Sequence, residues 1–185
     1  ITDLPVIDVV TVSHNHYDHL DIPSLKKLSK KNPKTLFLVP KGDQKLLNRK
    51  GIKNTREFLW WENIEIKGTK FTFTPTQHWS ARGLADRNKS LWGGWFMSFP
   101  NFKSFHAGDS GYSKDFQDTQ VRLGNPDLSL IPIGAYAPRW FMKANHVNPE
   151  EALQVALDLG SKKNYAMHWG TCLLYTSPSP RDPWK

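Results

Sequence analysis

The segment Ser13–Asp21 reads SHNHYDHLD and sets His14, His16, Asp18 and His19 within six residues, just past the apolar run Leu4–Ser13, LPVIDVVTVS. In a turn, side chains at i and i+2 can converge on one cation. The Asp and His at i+4 and i+5 then fall on the opposite side, within reach of a second cation. Imidazole and carboxylate suit zinc, with manganese or iron as substitutes. A polar helix start with incidental histidines explains a lone His, but it explains four potential ligands at this spacing poorly.

The rest of the chain adds to this turn. His78 lies in TPTQHWS, Asp109 in HAGDSGY and His168 in AMHWG, each just beyond a strand-like run. In a layered α/β fold, groups at corresponding strand ends share one sheet edge, so these three are expected to meet the first cluster. The total is five His and two Asp, enough for two metals with Asp109 as the bridge. The single cysteine, Cys172, excludes an internal disulfide framework and any zinc site built on several cysteines.

The periodicity predicts β-α-β-α order at the start. A strand spans Leu4–Ser13, and a helix capped by Asp21 follows with Leu25 and Leu28 inward. A strand at Thr35–Val39 precedes a helix over Asp43–Lys50 that Gly51 stops. Phe58–Trp61, Ile64–Lys67, Lys70–Pro75, Leu91–Phe99 and Ser104–Ala107 read as a β-meander. A helix at Lys114–Leu123 and a strand at Leu128–Ile133 come next. The best-signalled helix is Pro149–Leu159, between Asn148 and Gly160, and Asn164–Met167 is the last strand.

Eight Trp and ten Phe in 185 residues supply the buried surface of one domain. No run approaches the roughly 20 apolar residues of a membrane span, and the first residues lack a signal-peptide layout. The chain opens without Met on a strand-like run, which leaves secretion open; a cytoplasmic or peripheral-membrane location is expected. The formal charge of +8 is local: Ile22–Arg56 carries eleven Lys and Arg against one acid, a net +10. Such a run is either a solvated helical face or a docking surface for a polyanion, nucleic acid or anionic membrane. It lacks the aromatic-basic pattern of an RNA-binding module, so no nucleic-acid partner is expected.

The order H-x-H-x-D-H, then His, Asp and His at later strand ends, resembles the metallo-β-lactamase superfamily of binuclear zinc hydrolases. Within it, the sequence is similar to the N-acyl-phosphatidylethanolamine-hydrolysing phospholipase D family. SHNHYDHLD, TPTQHW, NKSLWGGW, AGDSGY, IPIGAYAPRWFM, HVNPEEA and HWG carry the likeness, from about Leu4 to Gly170. The resemblance implies an α/β fold, the αββα sandwich. Because the family has more chain at both ends, the sandwich is expected to be incomplete.

The resemblance also implies two zinc ions, one on His14, His16 and His78 and the other on Asp18, His19 and His168, with Asp109 bridging. Asp18, Asp109 and His146 are the candidate catalytic groups, His146 by orienting phosphate or protonating a leaving group. The implied reaction is cleavage of a phosphodiester by metal-activated water, turning N-acyl-phosphatidylethanolamine into an N-acylethanolamine and phosphatidate. A phospholipid substrate and an anionic membrane surface are the expected partners, and the lysines of the first basic helix are expected around the pocket mouth. The alternatives are a superfamily lactonase, β-lactamase or tRNA 3′ processing nuclease, or a catalytically silent metal-binding, membrane-associated protein. His106 is read as a strand residue, and Trp79, Trp92, Trp95, Trp140 and Phe141 as mostly core, with a minority lining an acyl groove. Residues 1–170 are expected to form the hydrolase domain. Residues 171–185, Pro-rich and similar to translated sequencing-adapter read-through, are expected to be a disordered, non-native tail.

Overall fold

A computed structural model describes residues 1 and 3–170 of the chain. The tail expected from residue 171 onward lies outside the described residues. Strands Val9–Thr11 (β1), Leu36–Pro40 (β2) and Thr55–Phe58 (β3) form a parallel three-stranded sheet, joined by helices Ile22–Lys31 (α1) and Gln44–Arg49 (α2). Asn63–Ile66 (β4), Thr69–Thr74 (β5), Gly94–Phe99 (β6), Phe102–His106 (β7), Leu128–Pro132 (β8) and Lys163–Met167 (β9) form a second sheet in that order. It is antiparallel up to β7 and parallel from β7 to β9. Asp115–Leu123 (α3), Arg139–Met142 (α4) and Pro149–Leu159 (α5) complete the elements.

Period-two alternation builds the layers. In β2, Phe37 and Val39 turn toward α1 and α2, where they meet Val12, Leu25 and Leu47. Leu38 turns the other way and packs with Phe58, Phe71, Phe73 and Trp95 between the two sheets. In β6, Trp95 faces that middle layer while Phe96 faces outward, packing with Phe105, Phe116, Val155 and Leu159 under α3 and α5. Three apolar layers separate helix, sheet, sheet and helix, the layer order of the αββα sandwich that the resemblance implies, of which this chain forms a part.

The caps follow the local sequence. Asp21 accepts the Ser24 N–H at 3.0 Å, and Asn148 forms a full capping box with Glu151 ahead of α5, which ends on Gly160 in the left-handed conformation. Several expectations are corrected. The first strand is only Val9–Thr11, since it sits at an edge and pairs with β2 alone. Phe58–Trp61 does not open the meander: the strand is Thr55–Phe58 in the parallel sheet, and Trp61, at φ 72°, turns the chain into the second. The short helix α4 had no periodic signal. Trp140 and Phe141 on it, read as core, stand 86% and 59% exposed, whereas Trp95 is fully buried.

The basic helix is corrected as well. α1 leaves the ligand turn at Asp21 and runs back antiparallel to β1, as a crossover between parallel strands must. Its last turn, Lys30 and Lys31, therefore lies at the edge opposite the turn, where Lys31 Nζ donates to the Leu4 carbonyl. These lysines do not ring the pocket mouth. Among the described residues no helix is long and apolar enough to cross a membrane.

Trp95 ties the two sheets together, because its Nε1–H donates to the Val12 carbonyl at 2.9 Å, two residues before His14. Trp95→Ala is expected to lower unfolding stability by about 3–5 kcal/mol. Trp95→Phe, which keeps most of the volume and loses the hydrogen bond, should cost about 1–3 kcal/mol. Urea unfolding of the two variants checks both values.

Candidate metal centre

The ligand candidates come off one edge of the sandwich. His14, His16, Asp18 and His19 follow β1, His78 follows β5, Asp109 follows β7 and His168 follows β9. They converge on one point. His16 Nδ1 lies 2.9 Å from His14 Nε2 and 3.3 Å from His78 Nε2. Asp109 Oδ2 lies 3.1 Å from His19 Nε2, 3.6 Å from His168 Nε2, 3.8 Å from His78 Nε2 and 3.9 Å from His14 Nε2. Asp18 Oδ2 is 3.3 Å from His168 Nε2 and 3.5 Å from His19 Nε2. Two groups therefore form, His14–His16–His78 and Asp18–His19–His168, each with ligand atoms within 4.8 Å of one another. Asp109 stands between them. His146 joins His78 and Asp109 in a further group, with its ring centroid 5.1 Å from that of His78. His106 does not join: it pairs with Trp95 in the β6–β7 ladder, and its Nδ1 accepts the Gly108 N–H at 3.1 Å.

The electrostatics suit a cation. Burial pulls His14 well below the usual imidazole range, with His19 and His78 adding to the drop, and it lowers His78 to about 3. His16 and His146 are lowered by burial too. At neutral pH these rings are uncharged and offer lone pairs. Burial by itself would raise Asp109, but the hydrogen bond and charge of His19, with His14 and His168, hold it well below the carboxylate range. The hydrogen bond to Asp18 raises His168 and lowers Asp18.

The far nitrogens fix which lone pairs face inward. His78 Nδ1 donates to the Asn145 carbonyl at 3.0 Å, and His14 Nδ1 meets the Ser13 hydroxyl at 3.0 Å, leaving Nε2 of each ring for the centre. Tetrahedral bonds of about 2.0–2.1 Å put ligand atoms about 3.3 Å apart, close to the nitrogen separations here. Asp109 Oδ1, fully buried, has no hydrogen-bond partner among the described residues, as an oxygen reserved for a cation would. The residues present fit a metal pair.

Sequence reasoning gave no role to several residues that shape this site. Gly134 lies against His168: a Cβ there would come 1.6 Å from the His168 carbonyl oxygen, so only glycine lets the segment after β8 pass this ligand's backbone. Arg82 Nη1 donates to the carbonyls of Asn15 and Leu20 at 2.9 Å each, clasping both ends of the ligand turn. Asp43 is 1% exposed and accepts from Asn15 Nδ2 at 3.0 Å. None of these contacts has a local sequence signal, since each joins residues far apart in the chain.

Burial raises the Asp43 carboxyl to about 6, against the opposing hydrogen bonds from Ser90 and Asn15. The folded protein keeps this proton up to about pH 6 and the unfolded chain only to about pH 4, so the contribution of Asp43 to stability falls as pH rises through that window. Metal-free Asp43→Asn protein is expected to exceed the parent by on the order of 2 kcal/mol at pH 7, and the gain should vanish below about pH 4. Urea midpoints of both proteins at the two pH values check this; a pH-independent difference contradicts it.

Residues 1–169 match the family profile described as beta-lactamase superfamily domain. The chain is 41% identical over 181 residues to the mitochondrial N-acyl-phosphatidylethanolamine-hydrolyzing phospholipase D of Saccharomyces cerevisiae, covering 94% of this chain and 38% of that protein. It is 39% identical over 198 residues to N-acyl-phosphatidylethanolamine-hydrolyzing phospholipase D 1 of Caenorhabditis elegans, covering 100% of this chain and 56% of that one. The chain thus spans about half the length of these relatives or less. Its fold superposes on Igni18, a metallo hydrolase from Ignicoccus hospitalis, with TM-score 0.74 at 20% identity, over 92% of this chain and 67% of that one. CmlA, a diiron β-hydroxylase from Streptomyces venezuelae, matches with TM-score 0.72 at 22% identity, over 91% of this chain and 37% of that one. At such identities these structures are alike in fold.

Proposed function

Because the chain belongs to the metallo-β-lactamase superfamily, we propose that it carries the binuclear metal centre of a phosphodiester hydrolase acting on N-acyl-phosphatidylethanolamine. The observation that carries this reading is the gathering of four imidazoles within 3.9 Å of Asp109 Oδ2, with His16 against His14 and His78 and Asp18 against His19 and His168, in a chain about 40% identical to two proteins named for that reaction. In this reading His14, His16 and His78 would hold one ion and Asp18, His19 and His168 the second, with Asp109 between the two groups. Zinc is the expected metal, with manganese or iron as substitutes. Bound divalent metal lowers the pKa of water from 15.7 to about 7 and offsets the negative charge of a phosphodiester.

The side chains do the remaining work. His78 is held in its ligating orientation by the Asn145 carbonyl, which its far nitrogen Nδ1 donates to. Asp109, buried and ionised, sets the negative charge that keeps the pair together. His146 is a neutral ring 6.1 Å from that of His168, and its Nδ1 has no partner among the described residues. A neutral imidazole there can donate a hydrogen bond that orients a phosphate oxygen. The exposed Trp140 and Phe141 sit on α4, just before the Asn145–His146 stretch that touches the centre. Their exposed rings suit contact with acyl chains, which supports a lipid over a soluble diester.

Two metals per chain are expected. Asp109→Ala should lose metal and more than about 100-fold in activity, given that even outer-shell changes cost 10–100-fold, while keeping its circular dichroism. Metal content and turnover of N-acyl-phosphatidylethanolamine, a lactone and a β-lactam in one sample test the proposal. One metal or none in folded protein overturns the binuclear reading. Turnover of lactone or β-lactam without phosphodiester overturns the substrate, and metal with no turnover on any ester identifies a silent binding protein.

A further inference from the structure

Asn15 stands between two ligands, His14 and His16, and points away from them because i and i+2 share one side of the turn. Its side chain is buried, and its Nδ2 donates to Asp43 Oδ1 at 3.0 Å, across 28 residues of sequence. Asp43 sits where an N-cap of α2 belongs, yet makes no side-chain cap bond. Glu57, on the neighbouring strand β3, does that work instead: its Oε1 accepts the N–H groups of Gly42 and Gln44 at 2.9 Å each, on either side of Asp43. Gly42, at φ 105° and with Ser90 and Lys89 too close to admit a Cβ, fixes the turn further. Freed from capping, Asp43 turns inward. A buried carboxylate is costly to keep unless its acceptor serves something.

We infer that Asp43 is a positioning residue for the metal centre, clamping Asn15 so that His14 and His16 hold their converging orientation. The inference rests on the metal-centre reading above. The clamp runs from Glu57 through the Gly42–Gln44 turn to Asp43, from there to Asn15, and ends on two ligands. Arg82 holds the carbonyl of the same Asn15, so side chain and backbone of this residue are both fixed from outside the turn. Without the clamp the two histidines gain freedom that metal binding must then remove, which weakens affinity. The part of Asp43 that matters is its acceptor atom: an Asn at that position keeps an oxygen for Asn15 and turns its amide toward Ser90.

Zinc affinity, by chelator competition on the 185-residue chain, and the visible spectrum of the cobalt(II) form provide the test. Asp43→Leu and Asn15→Ala should each weaken zinc by about 10–100-fold and alter the cobalt spectrum. Asp43→Asn should keep the parent affinity and spectrum, and the Asp43→Leu/Asn15→Ala double variant should be no weaker than either single, because both break one contact. A folded Asp43→Leu protein with parent affinity overturns the clamp, as does an Asp43→Asn protein as weak as Asp43→Leu. Should Asp43→Leu fail to fold, Asn15→Ala decides by the same criterion. A parent chain that binds no zinc overturns the metal-centre reading and the clamp with it, whereas tight parent binding with unaffected variants overturns the clamp alone.

Discussion

A carboxylate buried among imidazoles is the constraint the rest of this structure serves. Asp109 Oδ2 lies within 3.9 Å of nitrogens from His14, His19, His78 and His168. Burial drives His14 and His78 toward the neutral form, so these two rings do not compensate the charge, and the fold must hold the cluster together by other means. It uses rigid strand ends on one edge, a backbone carbonyl on His78 and a hydroxyl on His14. Each fixes a ring from outside the cluster.

The layered cores make that edge possible. Three apolar layers, in which alternate side chains of β2 and of β6 face opposite ways, hold the two sheets against each other, and the ligands follow β1, β5, β7 and β9. Trp95 adds a hydrogen bond from the middle layer to the residue pair preceding the ligand turn. The stability of the sandwich and the geometry of the site are therefore one problem, and a change in the middle core is felt at the ligands.

Charge and apolarity are also sorted by topology. The net +10 of Ile22–Arg56 follows the ligand turn in sequence, yet α1 carries its last lysines to the far edge. The exposed aromatic pair stands instead on α4, just before the Asn145–His146 stretch in sequence. The acidic side chains exchange roles in the same way: Asp43, an N-cap by position, turns inward to Asn15, and Glu57 caps the helix from a neighbouring strand.

The residues of the candidate centre were legible in the sequence, because ligand chemistry needs particular residue types and four of them fall within one turn. The helices α1 and α5 were legible for a similar reason, as Asp21 and the Asn148–Glu151 pair signal their starts locally. Most strands of the meander followed from period-two alternation. Tertiary structure alone decided what pairs across long separations: β3 joining the parallel sheet, α4 exposing Trp140, α1 turning its lysines away, and Asp43 reaching Asn15. A local pattern records which face of an element is apolar, but not which distant element meets it. Hydrogen bonds between residues 28 or 67 positions apart, such as Asp43 with Asn15 or Arg82 with Asn15, exist only once packing has brought the layers together.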